Sequence, residues 1–451
     1  MSEHTPPAAP ADADSEARPV DVTERVPLLD ALRGFALFGV FISNSLTWFS
    51  GRALLPREVA KAQGAPLLEV IVNSSFQFLV NQKFITLFSF LFGLGFAIQL
   101  SRAESRGRSG VPLYSRRLFI LLCIGVVHLF GLWIGDILHT YAVVGFLLLL
   151  FRARSNRTVL VWAVGLMVAM SLLVPVLQRY VPVLLHGTEA AAELAKAAQA
   201  EEARHRARLL AALASDSAWT GLMGRVTFNV DTFFQVSRLK WMGLIFARFL
   251  FGLLAGRLLL LQDVERNRLL LRRLLVWGLG VGTLINGAGV VMARLRNMGK
   301  LTSTDSVWQF LLSNLQELGF LALAAGYVAA FALLFQRVWW QRVLGVLAPV
   351  GRMALSLYLL QSLVSVWLYD GWGLGLIGRL PSSRVAAISL GIFTLQGVLS
   401  HGWLSRFRFG PAEWLWRSLT YGRAQPMRLP AREGTAGPRP REPMPRQEMK
   451  E

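Results

Sequence analysis

His128 and Asp136 lie eight residues apart in GVVHLFGLWIGDILHTYAVVG (125–145), and together they have the residue types that general-base chemistry needs. An imidazole in an apolar setting can take a proton near neutral pH, and a nearby carboxylate fixes its tautomer. These two are the candidate catalytic residues. A plainer reading stays open: Asp136, after Gly135, caps the helix that follows, and His128 bonds a neighbouring backbone group. His139, close to the interface, reads as structural. Further polar groups stand where a bilayer penalises them, and intramembrane charges are functional candidates by default. VPLLDALRGFALFGVFISNSLTWFS (26–50) carries Asp30 and Arg33 one turn apart and Asn44 about three turns later. Asp30 and Arg33 either line a substrate path or pair and snorkel at the interface. Lys83 opens the Phe-rich stretch NQKFITLFSFLFGLGF (81–96), where it either snorkels or holds an anionic group. Arg352 and Gln361 complete the candidate substrate-binding set.

The elements that must position these groups are membrane helices. Only 16% of the 451 residues are charged and 54% are hydrophobic, against roughly a quarter charged in soluble chains. Repeated apolar runs of bilayer-spanning length give about ten spans. They cover 26–50, 84–101, 114–134, 136–152, 156–180, 240–261, 270–294, 308–335, 350–369 and 383–407. The fold class is therefore all-α, a polytopic integral membrane protein. The third and fourth spans form a hairpin, and 66–82 reads as a re-entrant or interfacial helix.

The net charge of +20 does not indicate nucleic acid, because the arginines sit between the apolar runs. Arg102, Arg106, Arg108, Arg116 and Arg117, then Arg152, Arg154 and Arg157, then Arg266, Arg268, Arg272 and Arg273, then Arg337 and Arg342 occupy every second loop. Those loops and both termini are expected in the cytoplasm; Arg294, Arg296 and Lys300 on the other side are outvoted. Segments 1–25 and 425–451 read as disordered cytoplasmic tails flanking a 26–424 membrane domain, and 1–25 lacks the features of a cleavable signal. A large external loop is expected at 181–239, with a helical stretch AAAELAKAAQAEEARHRARLLAALA serving as a surface cap or a substrate lid. One cysteine, Cys123, excludes an intramolecular disulfide, and the six histidines show no ligand spacing, so no metal is expected.

Five segments together resemble the YeiB-like family, whose C-terminal part is known as domain of unknown function 418. They are LLDALRGFALFGVFISN (28–44), KFITLFSFLFGLGF (83–96), HLFGLWIGDILHTYAVVG (128–145), GRMALSLYLLQS (351–362) and RFGPAEWLWRSLTYG (408–422). The last places Gly410, Pro411, Glu413, Trp414 and Arg417 on an amphipathic interfacial helix. The first helix is also similar to that of the transmembrane acyltransferases, namely acyltransferase family 3 and the heparan-glucosaminide N-acetyltransferases. In acyltransferase family 3, an Arg is followed after ten residues by a His thought to be catalytic. Here Arg33 is followed at that distance by Asn44, which cannot take a proton at neutral pH. His128 is then the replacement base and Asp136 its orienter.

The resemblance implies a multi-pass protein of a bacterial-type inner membrane. It would move an acyl group from cytoplasmic acyl-CoA, the donor substrate, to an envelope glycan, lipid or small-molecule acceptor. No tightly bound cofactor and no nucleic-acid partner are expected. The other expectation is a transporter or flippase that uses the same polar residues as a path.

Overall fold

The computed structural model describes residues 26–105, 110–300 and 307–429. The segments 1–25 and 430–451, together with Arg106 and Arg108, lie outside them. Among the described residues seventeen α-helices follow one another, and the sole β pairing is an isolated bridge between Phe407 and Arg428. They are α1 Pro27–Asn44, α2 Arg57–Gln63, α3 Leu67–Ser75, α4 Lys83–Ser105, α5 Val111–Gly131, α6 Leu138–Leu148, α7 Asn156–Val168 and α8 Val174–Leu213. Then come α9 Ala218–Thr232, α10 Val236–Arg257, α11 Arg268–Asn297, α12 Val307–Leu334, α13 Val338–Gly345, α14 Ala348–Arg352, α15 Ala354–Tyr369, α16 Ser382–Leu404 and α17 Pro411–Tyr421.

Each of the ten expected spans contains a helix, and the chain is an all-α polytopic membrane protein. Among the described residues eight helical stretches are long and apolar enough to cross a bilayer; the α6 and α15 stretches, Leu138–Phe151 and Ala354–Tyr369, are shorter. Large apolar side chains such as Val127, Val161, Trp162, Leu284 and Val398 point outward, as lipid-facing positions should. Inside, helices meet through small residues, since lipid offers no hydrophobic drive for association. At the α4–α10 crossing a Cβ on Gly93 would lie 2.0 Å from the Phe249 carbonyl oxygen, and one on Gly252 2.0 Å from that of Phe90.

The helical stretch expected within the 181–239 segment is present, and it continues the preceding helix. Helix α8 runs on to Leu213, broken only at Gly187, where φ is 78°. Helix α9 then folds back against it. The Ala-, Leu-, Glu- and Arg-rich composition propagates helix, and Leu209 and Leu213 are buried in the contact. The tail boundary at 425 also shifts: Arg408 N–H donates to the Met427 carbonyl at 2.8 Å and Leu429 N–H to that of Arg406 at 3.1 Å.

The connections sort into two ends. At one end Gly378 N–H donates to the Ser50 carbonyl (2.7 Å), Gly371 N–H to Leu213 (2.8 Å), and Asn229 Nδ2 to Leu129 (3.4 Å). At the other, Arg257 donates to the carbonyls of Phe151 (2.8 Å) and Arg152 (2.7 Å), closing the C-terminus of the α6 stretch. There too Trp416 Nε1 donates to the Arg117 carbonyl (2.9 Å), and the Arg117 guanidinium lies 4.1 Å from the Trp416 ring centre. Two of the quoted motifs dock on each other at this end. Glu413 Oε1 accepts from Leu355 N–H (2.7 Å) and Ser356 N–H (3.1 Å), and Oε2 accepts from the Ser356 hydroxyl. The GPAEW segment thus supplies the acceptors that the first turn of α15 lacks.

Candidate active site

Helix α5 approaches α6 at Gly125, where a Cβ would sit 2.3 Å from the His139 nitrogen. Only glycine allows this contact. One turn further on, His128 is carried to the 132–137 turn that joins the two helices. Its Nδ1 lies 2.7 Å from Asp136 Oδ1. Asp136 Oδ2 accepts from His139 N–H at 2.8 Å and from His139 Nδ1 at 2.8 Å. Asp136 therefore does cap α6, from one residue outside the N-cap position, which Ile137 occupies. It does so with one oxygen and holds His128 with the other. His139 is fastened in turn, with its Nε2 3.1 Å from Thr140 Oγ1.

A carboxylate only accepts, so both histidines present Nδ1–H to it and carry their lone pair on Nε2. For His139 that lone pair receives the Thr140 hydroxyl. His128 Nε2 is buried and has no hydrogen-bond partner among the described residues. Buried polar nitrogens are rarely left so. The Tyr358 ring of α15 lies 5.2 Å from that of His128, and its hydroxyl accepts from Ile137 N–H at 3.3 Å. The three side chains bond one another rather than converging on a point, and no metal-holding group of three occurs among the described residues.

A narrow cleft lies at the same end of the bundle, lined by Trp48, Phe49, Trp133, Leu213, Ser365 and Tyr369, with Arg225 and Asp370 at its wall. Phe49 stacks on Trp133 at 3.7 Å, and Trp133 N–H donates to the His128 carbonyl at 2.7 Å, which links cleft and histidine. The Ser365 hydroxyl, Trp133 Nε1 and the Tyr369 hydroxyl are buried there without partners among the described residues. Arg225 of α9 pairs with Asp370, both buried, and Trp372 Nε1 adds a hydrogen bond at 3.2 Å. Burial raises the Asp370 carboxyl above its usual pKa, and the Arg225 guanidinium pulls the other way. The α8–α9 hairpin is thereby clamped over the cleft.

The structure distributes the remaining candidates as follows. Asn44 ends α1, one turn before Trp48 of the cleft wall. Gln361, one turn beyond Tyr358 on α15, donates to Gln396 Oε1 at 2.9 Å and is buried. Asp30 and Arg33 pair with each other at 3.1 Å, partly exposed. Along α1 they are about 20 Å from Asn44, so they belong to the other end of the bundle. Arg352 is there too: it donates to the Arg408 carbonyl at 3.4 Å, and its neighbour Gly351 packs on the Asp30 carbonyl. Lys83 does not snorkel. It is fully buried, donates to the Gln77 carbonyl at 2.6 Å and lies 4.5 Å from the Phe320 ring centre. Its hydrogen bond and ring contact are with other residues than those around His128. Reading the sequence did not single out Tyr358, Arg225 or Asp370, and it set His139 aside. The i, i+3 spacing of Asp136 and His139 was the one available signal.

Residues 255–423 match a family described as "Protein of unknown function (DUF418)". The chain is 34% identical over 430 residues to "Uncharacterized protein YxaH" of Bacillus subtilis, covering 92% of this chain and 98% of the relative. It is 27% identical over 429 residues to "Uncharacterized protein YeiB" of Escherichia coli, covering 89% and 98%. A 39.9 kDa protein from the amylase 3′ region of Bacillus acidopullulyticus is 26% identical over 423 residues, covering 91% and 98%. No solved structure matches the chain.

Proposed function

We propose that this chain, which belongs to the YeiB-like (DUF418) family, is a membrane-bound acyltransferase. It would move an acyl group from cytoplasmic acyl-CoA to a hydroxyl or amine of an envelope or small-molecule acceptor. The observation that carries this is the buried His128, held by Asp136 at Nδ1 and left without a partner at Nε2. That is the arrangement of a general base with an orienting carboxylate. The similarity of the first helix to transmembrane acyltransferases supports the reaction class.

In this reading the acceptor's O–H or N–H proton passes to His128 Nε2 as the oxygen or nitrogen attacks the thioester carbonyl. The C–S bond then breaks, and the coenzyme thiolate leaves and recovers the proton from the imidazolium. Asp136 stabilises that imidazolium. The Asn44 amide can donate to the developing oxyanion. Asp30, Arg33 and Arg352 would engage the donor at the cytoplasmic end, with the arginines holding its phosphates. From Arg117 to His128 the rise along α5 is about 17 Å, so the acyl-bearing arm must thread the bundle.

Purified protein should release free thiol from acyl-CoA, and His128→Ala should lose that activity. Full activity in His128→Ala would end the proposal. Transport or lipid flipping is the second reading, favoured by the buried Lys83 and Arg248 and the half-buried Glu317. It requires substrate to cross unchanged, with no thiol release.

A further inference from the structure

The cleft beneath the α8–α9 hairpin takes no part in the proton transfer set out above, yet it is built like a binding site. Three separated parts of the chain converge on it: Trp48 and Phe49 after α1, Trp133 in the α5–α6 turn, and Ser365 and Tyr369 one turn apart on α15. Phe49 stacks on Trp133 and fixes that ring. Trp133, Ser365 and Tyr369 are 4%, 1% and 2% exposed. Trp133 Nε1 and the two hydroxyls have no hydrogen-bond partner among the described residues. An unmet buried polar group costs free energy, and here three of them line one space. That space has a volume of about 10 Å³, room for a single water.

The hairpin closes it, with Leu213 and Arg225 forming its side of the cleft. Arg225 pairs with Asp370, and a Cβ on Gly371 would stand 2.3 Å from the Ala214 carbonyl oxygen, so the α8–α9 turn rests directly on backbone. Gly187, with φ 78° and open space where a Cβ would stand, is the one non-helical residue within α8. Rigid helix on both sides of such a residue makes it a hinge. We infer that the cleft is a binding site for a neutral polyhydroxy ring, a sugar, and that the α8–α9 hairpin is its cover, shut in this structure. Charge selects a neutral ligand: Arg225 and Asp370 are the charged residues lining the cleft, and they already balance each other. The orphaned indole N–H and two hydroxyls require a ligand that both accepts and donates hydrogen bonds. The indole and phenol rings offer flat apolar faces, which the C–H face of a sugar ring covers while its hydroxyls meet the polar atoms. A sugar is far larger than one water, so entry requires the Arg225–Asp370 pair to part and the hairpin to lift about Gly187. The cleft's role as acceptor site rests on the acyl-transfer reading; sugar binding itself does not.

The test uses the full chain in a detergent without a sugar headgroup and needs no acyl-CoA. Thermal unfolding is followed with methyl glucoside or methyl N-acetylglucosaminide, against sorbitol at the same concentration. Sugars and polyols alike stabilise proteins by exclusion from their surface, and sorbitol, which has no ring, sets that baseline. A ligand bound only by the folded state raises the midpoint, so at least one glycoside should exceed sorbitol by a few degrees. Ser365→Ala and Tyr369→Phe each remove an orphaned hydroxyl. Without sugar they should leave the midpoint unchanged or raised; with sugar the excess should fall. The cover is read with Ser365→Cys in a Cys123→Ser background. A hydrophilic thiol reagent should react slowly, and several-fold faster when Arg225→Gln/Asp370→Asn removes the latch without leaving a buried charge. No excess over sorbitol from either glycoside, or a full excess in either hydroxyl variant, overturns the sugar site; an unchanged labelling rate overturns the cover. A sugar excess without thiol release from acyl-CoA keeps the site and ends its role as acceptor. Thiol release without a sugar excess ends the site and keeps the acyl transfer.

Discussion

Asp136→Asn should abolish the proposed acyl transfer while leaving the fold in place, and the reason lies in who donates to whom. Asp136 Oδ2 receives two donors from His139, at 2.8 Å each, and one is a backbone N–H that cannot change its role. Asparagine has one carbonyl oxygen and one amide nitrogen. The oxygen must face His139, so the amide N–H points at His128 Nδ1. To accept it, His128 must become the Nε2–H tautomer, which removes the lone pair from Nε2, the proposed proton acceptor. A general base contributes about 10²–10⁴ in rate, or roughly 3–5 kcal/mol of barrier. The stability cost is smaller, at most about 3 kcal/mol for one charge-assisted hydrogen bond weakened to a neutral one. Thiol release from acyl-CoA by purified protein measures the first effect and the unfolding midpoint the second. Histidine ¹⁵N shifts report the tautomer directly, and His128 should move from Nδ1–H to Nε2–H. A folded Asp136→Asn protein that keeps more than about a tenth of wild-type activity, against the expected loss, would refute the reasoning. So would an unchanged His128 tautomer.

Other outcomes follow from the packing and the charges. A cysteine at exposed Ala198, with Cys123 replaced, should react with an impermeant thiol reagent in intact cells; labelling only after lysis would reverse the orientation. Arg225→Ala leaves Asp370 buried and unpaired, at a cost of about 3–5 kcal/mol. Adding Asp370→Ala should restore part of that loss, and additive losses in the double-mutant cycle would show that the pair does not couple. Gly93→Ala puts a methyl where the Phe249 carbonyl stands 2.0 Å away. Forcing α4 from α10 should cost about 1–3 kcal/mol or more, read as a lower unfolding midpoint. An unchanged midpoint would mean that this crossing yields easily.

Apolar run length was enough to establish the all-α membrane class, because every span must satisfy its own backbone hydrogen bonds and so announces itself in composition. The same logic marked 84–101 and 156–180, and helical spacing marked the stretch that ends at Leu213, but neither could see that this stretch continues the preceding span across Gly187. Hydropathy falls along that helix, but helix propensity does not. His128 and Asp136 were legible as a pair because they lie eight residues apart across a short turn, where chain connectivity limits their separation. Tyr358 joins them from 221 residues beyond Ile137, and Asp370 meets Arg225 across 145. No local spacing encodes such pairings. Lys83 is the clearest instance. At a helix end a lysine ordinarily snorkels, but the preceding turn folds the Gln77 carbonyl onto its ammonium and α12 closes over it with Phe320. Residue type placed a charge near the membrane surface; the packing of three helices decided that it would be buried, and beside which partners.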